Sequence, residues 1–281
     1  MPRLENVGAY PVAVGGVGGS GTRVVAAFLD MIGYYIGDDL NTSLDNLWFT
    51  LLFKRRSILV EDDREFNRFS KLFFDRMSGK NYVPEEDYKD VFRLAERNRP
   101  EHSTDWLKQR AGSFCKWETS KYSNQPWGWK EPNTHISIER FLISNPNLRY
   151  IHVVRNPIYM SESKNQNQLR MWGAIFLDSD VNIEPRSSLS YWCEAHRRVA
   201  ALMRRWSDRT LLIDYDALVA APDLQGDRIA NFLSANLPDP ALPTFRDFVQ
   251  RSAPTVRVKA MNPRHFDAAD LAYVSEIGYP L

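Results

Sequence analysis

Residues 15 to 23 read Gly-Gly-Val-Gly-Gly-Ser-Gly-Thr-Arg, at the end of the apolar run YPVAVGG (10–16). A glycine-rich turn from strand into helix lets backbone N–H groups converge on an anion, and the helix N-terminus adds its partial positive charge. Gly16 and Gly21 keep the separation of a phosphate loop, yet Thr22 and Arg23 stand where a nucleotide kinase carries Lys and Ser/Thr. A second anion-gripping pair lies downstream: Arg155 follows the run RYIHVV (149–154), and Ser163 comes eight residues after it. An arginine holds a phosphate through two parallel N–H bonds, and a serine hydroxyl adds one more. Lys130 ends WGWK, just before Glu131-Pro132. A strand-end lysine suits an anion site in an open sheet; the alternative is a surface lysine paired with Glu131.

Such residues act together only if elements bring them to one place. Four short apolar runs bounded by turn residues read as buried strands: 10–16, 127–130, 149–154 and 210–215. Between them, Val24, Val25, Phe28, Leu29 and Ile32 recur at helical spacing, as do Leu189, Trp192, Val199, Leu202, Met203 and Trp206 within 188–206. Continuous apolar strands separated by helices predict a single α/β domain, residues 1–281, with a central parallel β-sheet flanked by helices. The aromatic and charged stretch 41–126 predicts a helical insertion, and 237–245 a proline-rich connection. Lys54, Arg55 and Arg56 and the arginines of 197–205 read as solvated helix faces.

The bulk numbers narrow the function classes. The chain has 281 residues, 43% hydrophobic and 25% charged, with net charge +1. That near-neutral balance argues against nucleic acid as the main partner. No apolar run reaches transmembrane length, and the first ten residues lack the apolar core of a secretory signal. Cys115 and Cys193 fall in no motif spacing, which fits a reducing compartment and predicts a cytoplasmic protein. The five histidines form no metal-ligand pair, so no metal is expected.

Taken together, the motifs resemble those of sulfotransferases that use 3′-phosphoadenosine 5′-phosphosulfate (PAPS). GGSGTR resembles their 5′-phosphosulfate loop, and VVRNPIYMSES their 3′-phosphate motif. LLIDYDALVAAP resembles the family's strand end of hydrophobic-Tyr-acidic-x-Leu. WGWKEP and IGDDLN resemble elements of the tyrosylprotein sulfotransferase branch. The matches run in family order from residue 11 to about 222. The resemblance implies that Gly18, Gly19, Ser20, Gly21, Thr22 and Arg23 meet the 5′-phosphosulfate, while Arg155 and Ser163 meet the 3′-phosphate. Tyr215 could line the nucleotide pocket or be an aromatic that finishes a buried strand. Arg257 and Lys259 could close over the 3′-phosphate as part of a C-terminal basic loop, or be exposed alternating charges. Lys130 is the candidate electrophile for the leaving phosphate. Asp39 is the candidate base, with Asp38 next; the alternative is a solvated turn. One departure stands out: the family's basic residue before Ser-Gly-Thr is Gly19 here, so Lys130 or Arg23 must supply that charge.

The cosubstrate implied is PAPS, without metal, and the acceptor is a hydroxyl on a small molecule, glycan, lipid or peptide. Two rivals remain at this level: a P-loop kinase or NTPase, and a non-catalytic nucleotide-binding protein on the same scaffold. Acceptor choice is expected to lie in 41–126. There Trp48, Phe49, Phe53, Phe66, Phe69, Phe73 and Phe74 could line an apolar pocket or, as their helical spacing favours, form core.

Overall fold

The computed structural model describes residues 9–80, 84–97, 99, 101–116, 125–252 and 265–280. Its centre is a four-stranded parallel sheet in the order β2-β1-β3-β4, with β1 Val12–Gly16, β2 Gly128–Lys130, β3 Arg149–Val154 and β4 Thr210–Asp214. The register aligns Val14 with Lys130 and with Ile151, and Gly16 with Val153, so all the strand ends named above lie on one edge. Val154 pairs with Asp214 at the same edge. Trp127 stands just before β2 and bridges Tyr35, the trace of an outer strand in the Tyr-Tyr-Ile-Gly run. The fold is the α/β arrangement that the apolar runs predict.

Thirteen helices are described around the sheet. The first, α1 (Thr22–Met31), leaves the glycine turn. The insertion carries α2 (Leu47–Phe53), α3 (Asp63–Met77), α4 (Glu85–Glu96) and α5 (Thr104–Cys115). Then come α6 (Ile138–Ser144), α7 (Pro157–Ser161), α8 (Asn167–Phe176) and α9 (Pro185–Arg205). The C-terminal part adds α10 (Tyr215–Ala220), α11 (Pro222–Leu233), α12 (Ala241–Ser252) and α13 (Ala268–Glu276). Local chemistry starts several of them. The side chain of Asn46 accepts from Phe49 N at the head of α2, Asp62 from Glu65 N at α3, and Ser103 from Trp106 N at α5. Each cap satisfies an N–H that has no partner within the helix.

The alternation of side chains splits the core in two. Ala13, Trp129 and Tyr150 face the insertion and join Phe49, Phe53, Phe66, Phe73 and Phe141 in one cluster. Val12, Val14, Ile151, Val153 and Ile213 face the other way, against Val25 and Phe28 of α1, Ile229 of α11 and Phe245 of α12. Fully burying such a side chain contributes about 1.5–3 kcal/mol, so the insertion is welded to the sheet. Trp48, Phe49, Phe53, Phe66, Phe69 and Phe73 are core, with Phe74 partly buried against them, and Phe49 stacks on Trp129 at 5.9 Å. Boundaries differ from expectation in places: β1 starts at Val12 rather than at residue 10, and β2 at Gly128 rather than at 127. Residues 237–245 are only half connection, because α12 begins at Ala241, and β4 stops at Asp214 because the Asp214 side chain caps α10 through Ala217 N at 2.9 Å.

Candidate functional site

The turn from β1 to α1 is built from close approaches that side chains would block. A Cβ on Gly16 would lie 2.5 Å from both Ser20 Oγ and Val153 O, and one on Gly21 would overlap the Tyr215 ring. Gly19 and Gly21 both have φ +94°, a region that residues with a Cβ enter at a cost. The loop is also held from outside: Gln168 Nε2 of α8 donates to Gly16 O at 3.0 Å. Within it, Ser20 is fully buried and its Oγ has no hydrogen-bond partner. A buried hydroxyl without a partner costs stability unless something else completes it.

The second anion-gripping pair converges on the same place. Arg155 follows β3, its guanidinium stands 5.0 Å over the Tyr215 ring, and its buried Nε has no partner. Ser163 follows the short α7, and its Oγ lies 3.9 Å from where a Cβ of Gly19 would be. Tyr215 opens α10 at the end of β4 and packs on Gly21 from the far side. Burial raises the Tyr215 phenol pKa; Arg155 opposes that rise, Asp216 adds to it, and Arg23 opposes it too. Arg23, exposed at the second position of α1, therefore places its charge in the same field as Arg155. Gly18, Gly19, Ser20, Gly21, Thr22, Arg23, Arg155, Ser163 and Tyr215 thus form one cluster. Arg257 and Lys259 lie outside the described residues.

Lys130 sits at the same edge in a setting that neither sequence alternative foresaw. It is only 3% exposed, and its Nζ donates to Ser43 O at 3.0 Å and pairs with Asp45. Glu131, the neighbour offered as its surface partner, is itself buried. It accepts from Asn133 N at 2.6 Å and pairs with Lys54 at 3.3 Å. The segment from Gly37 to Asn46 is tied to β2 by Asn46 N donating to Lys130 O at 2.7 Å. It brings two further carboxylates. Asp39 meets Arg110 Nε at 3.1 Å and accepts from Ser113 Oγ. Asp38 is more exposed and lies 3.8 Å from Arg76. Asp39 is therefore no free solvated turn residue, since α5 holds it on the insertion side.

Sequence reading passed over several members of this frame. Asp45 carried no motif, and only the fold shows it at Lys130. Gln168 looked like an ordinary helix residue, yet it reaches Gly16. It also accepts from Tyr191 Oη at 3.3 Å and lies 3.1 Å from His135 Nε2. Tyr150 Oη and His152 Nδ1, 2.6 Å apart, sit under Gly15. Burial pushes the His152 imidazole down and the Tyr150 phenol up, so the pair stays neutral. Lys54 and Arg55, expected on a solvated face, are half-buried and buried because Glu131 and Glu61 receive them.

Comparison with known proteins gives a consistent answer. The family profile described as "Sulfotransferase family" matches residues 11–239. No curated protein matches the chain in sequence. Among solved structures, the chain is similar to the sulfotransferase STF9 from Mycobacterium avium, with 16% identity, a TM-score of 0.51, and coverage of 99% of this chain and 76% of that one. It is equally similar in fold to the sulfotransferase domain of the curacin biosynthetic pathway, with 13% identity, a TM-score of 0.51 and 99% coverage of both chains.

Proposed function

This chain belongs to the sulfotransferase family, and from that premise we propose that it transfers the sulfuryl group of PAPS to a hydroxyl acceptor by in-line displacement. The observation that carries this reading is the pair of buried, unpartnered polar atoms at the sheet edge, Ser20 Oγ and Arg155 Nε. Ser20 lies in the glycine turn and Arg155 beside it, and a Cβ on Gly18 or Gly19 would meet nothing closer than 3.5 Å, so the residues present fit a nucleotide with phosphates at both ends. Bound PAPS would supply the sulfuryl group and leave as adenosine 3′,5′-bisphosphate.

The protein's own part is positioning and charge. The backbone N–H groups of residues 18–22, with the Ser20 and Thr22 hydroxyls, hold the 5′ end, and Arg155 and Ser163 hold the 3′-phosphate against Tyr215. Lys130 exchanges Asp45 for the oxygens of the leaving phosphate, with Arg23 as the nearby second cation. The acceptor oxygen bonds to sulfur as the bond from sulfur to the 5′-phosphate oxygen breaks. Asp39 takes the hydroxyl proton, so the products are a sulfate ester, the bisphosphate and one proton. Side chains supply the cations, and no metal is assigned a role. The insertion 41–126 forms the acceptor side. Cys115 and Cys193 are free and buried, which supports a reducing, cytoplasmic setting. Among the described residues, no helix is long and apolar enough to cross a membrane.

Thermal unfolding tests the reading. Adenosine 3′,5′-bisphosphate without metal should raise the melting temperature, by about 2.7 kcal/mol of stability at a hundred times its Kd. If ATP with magnesium stabilises and the bisphosphate does not, the PAPS reading fails. Stabilisation without any transfer from labelled PAPS across an acceptor screen would leave a non-catalytic binder.

A further inference from the structure

A cavity of about 460 Å³ opens between the end of α2, the segment around Arg99 and His102, and the first turns of α8. That volume suits a small organic molecule, and its lining is unusual in charge. Six cations face it, Lys54, Arg55, Arg56, Arg97, Arg99 and Arg170, against a single acid, Glu101. Glu131 receives Lys54, and Glu61 receives Arg55. Among the described residues, the other four arginines have no carboxylate in ion-pair range. Arg56 donates to the Met171 and Arg170 carbonyls, and Arg170 to Asn167 Oδ1 at 3.1 Å.

Arg99 is the most informative of them. It is 8% exposed and donates to the carbonyls of Thr50, Leu51 and Leu94, yet its Nε is buried without a partner. Burial pushes its pKa down to about 10, and Arg55 and Arg97 push the same way, so it remains a cation at neutral pH in an uncompensated positive field. His102 also lines the cavity, stacked on Trp106 at 4.4 Å with a buried Nε2 that has no partner. Burial first, and then Lys54 and Arg99, hold its pKa near 4. Arg99 is thus a buried cation without a carboxylate, which destabilises a fold unless an anion completes it, while Arg56, Arg97 and Arg170 are exposed around the cavity.

Two walls of the cavity lead towards the reacting edge. Lys54 pairs with Glu131, next to Lys130. Arg170 and Met171 stand on α8, whose Gln168 holds Gly16. We propose that this cavity binds an anionic group of the acceptor: a carboxylate, phosphate or sulfate carried on the molecule whose hydroxyl is sulfated. This inference rests on the sulfotransferase reading above.

Calorimetry on the full chain, alone and saturated with adenosine 3′,5′-bisphosphate, tests it with matched probes. These are 4-hydroxybenzoate against 4-hydroxybenzamide, 6-hydroxyhexanoate against 6-hydroxyhexanamide, and 4-hydroxyphenyl phosphate. At least one anion should bind tenfold or more tightly than its neutral partner, the phosphate being compared with 4-hydroxybenzamide. Arg97→Gln and Arg170→Gln should each weaken that anion by about tenfold, the scale of one lost charged hydrogen bond, and leave bisphosphate affinity alone. No anion preference across the set, including no binding at all, overturns the inference, as does a preference that survives both substitutions. A wild-type chain that fails to bind the bisphosphate defeats the sulfotransferase reading instead, because the two titrations are read separately.

Discussion

At the scale of single residues, the roles proposed for Arg155 and Lys130 separate binding from catalysis. Arg155 has an unpartnered buried Nε and an aromatic floor in Tyr215, so the contact we propose for it with the 3′-phosphate is one made in the ground state. Arg155→Ala should cost about 1.5–3 kcal/mol of affinity for adenosine 3′,5′-bisphosphate. In calorimetry the loss for adenosine 5′-monophosphate should be much smaller; equal losses would move Arg155 away from the 3′-phosphate. Lys130 is different because Asp45 and Ser43 already hold its ammonium. In the proposed role its gain comes when charge develops on the leaving phosphate. Lys130→Ala should lower single-turnover transfer by about 10²–10³ while nucleotide affinity changes little, and Lys130→Arg should recover only part, since a planar guanidinium does not replace a point charge. Normal turnover in Lys130→Ala, with Arg23→Ala inactive, would make Arg23 the electrophile.

At the scale of elements, the missing cation of the glycine turn has a backbone reason. Gly19 sits at φ +94°, so a lysine there must adopt a left-handed conformation at about 1–2 kcal/mol. Gly19→Lys should therefore lower the unfolding free energy by that amount, read as a lower urea midpoint at unchanged m, even though the side chain meets open space beyond Ser163; an unchanged midpoint would mean that the turn relaxes freely. The turn, the four strands and their common edge were legible because apolar runs and glycine spacing are local signals. Arg155, Ser163 and Tyr215 were legible as motif members for the same reason. Asp45 beside Lys130, Gln168 on Gly16, and the embedding of Lys54 and Arg55 were not. Each depends on a partner far away in the chain, such as Glu131 for Lys54, and a run of basic residues reads alike whether solvated or buried. The end of β4 was missed by a residue because a cap competes with the strand for Asp214.

At the scale of the whole molecule, buried histidines tie stability to pH. Burial pulls His102, His135 and His196 from the ordinary 6.5 to about 4, and His152 well below that ordinary value. Each is neutral in the folded chain, while the unfolded chain binds a proton below about 6.5. Their contribution is therefore fully present above pH 6.5 and is lost as pH falls from there towards 4. Urea midpoints should drop steadily over that window, and His135→Gln should make the slope shallower; a flat profile would mean that these rings are protonated in the fold. Helix α8 adds another property of the whole. With Gln168 it grips the turn that meets the nucleotide, and with Arg170 and Met171 it walls the basic cavity. On the proposed reading one helix thus belongs to two ligands, and thermodynamic reciprocity follows: any factor by which the nucleotide tightens the acceptor is the factor by which the acceptor tightens the nucleotide. The sulfated product and the spent nucleotide form a second such pair, bound by the same reciprocity with a factor of their own.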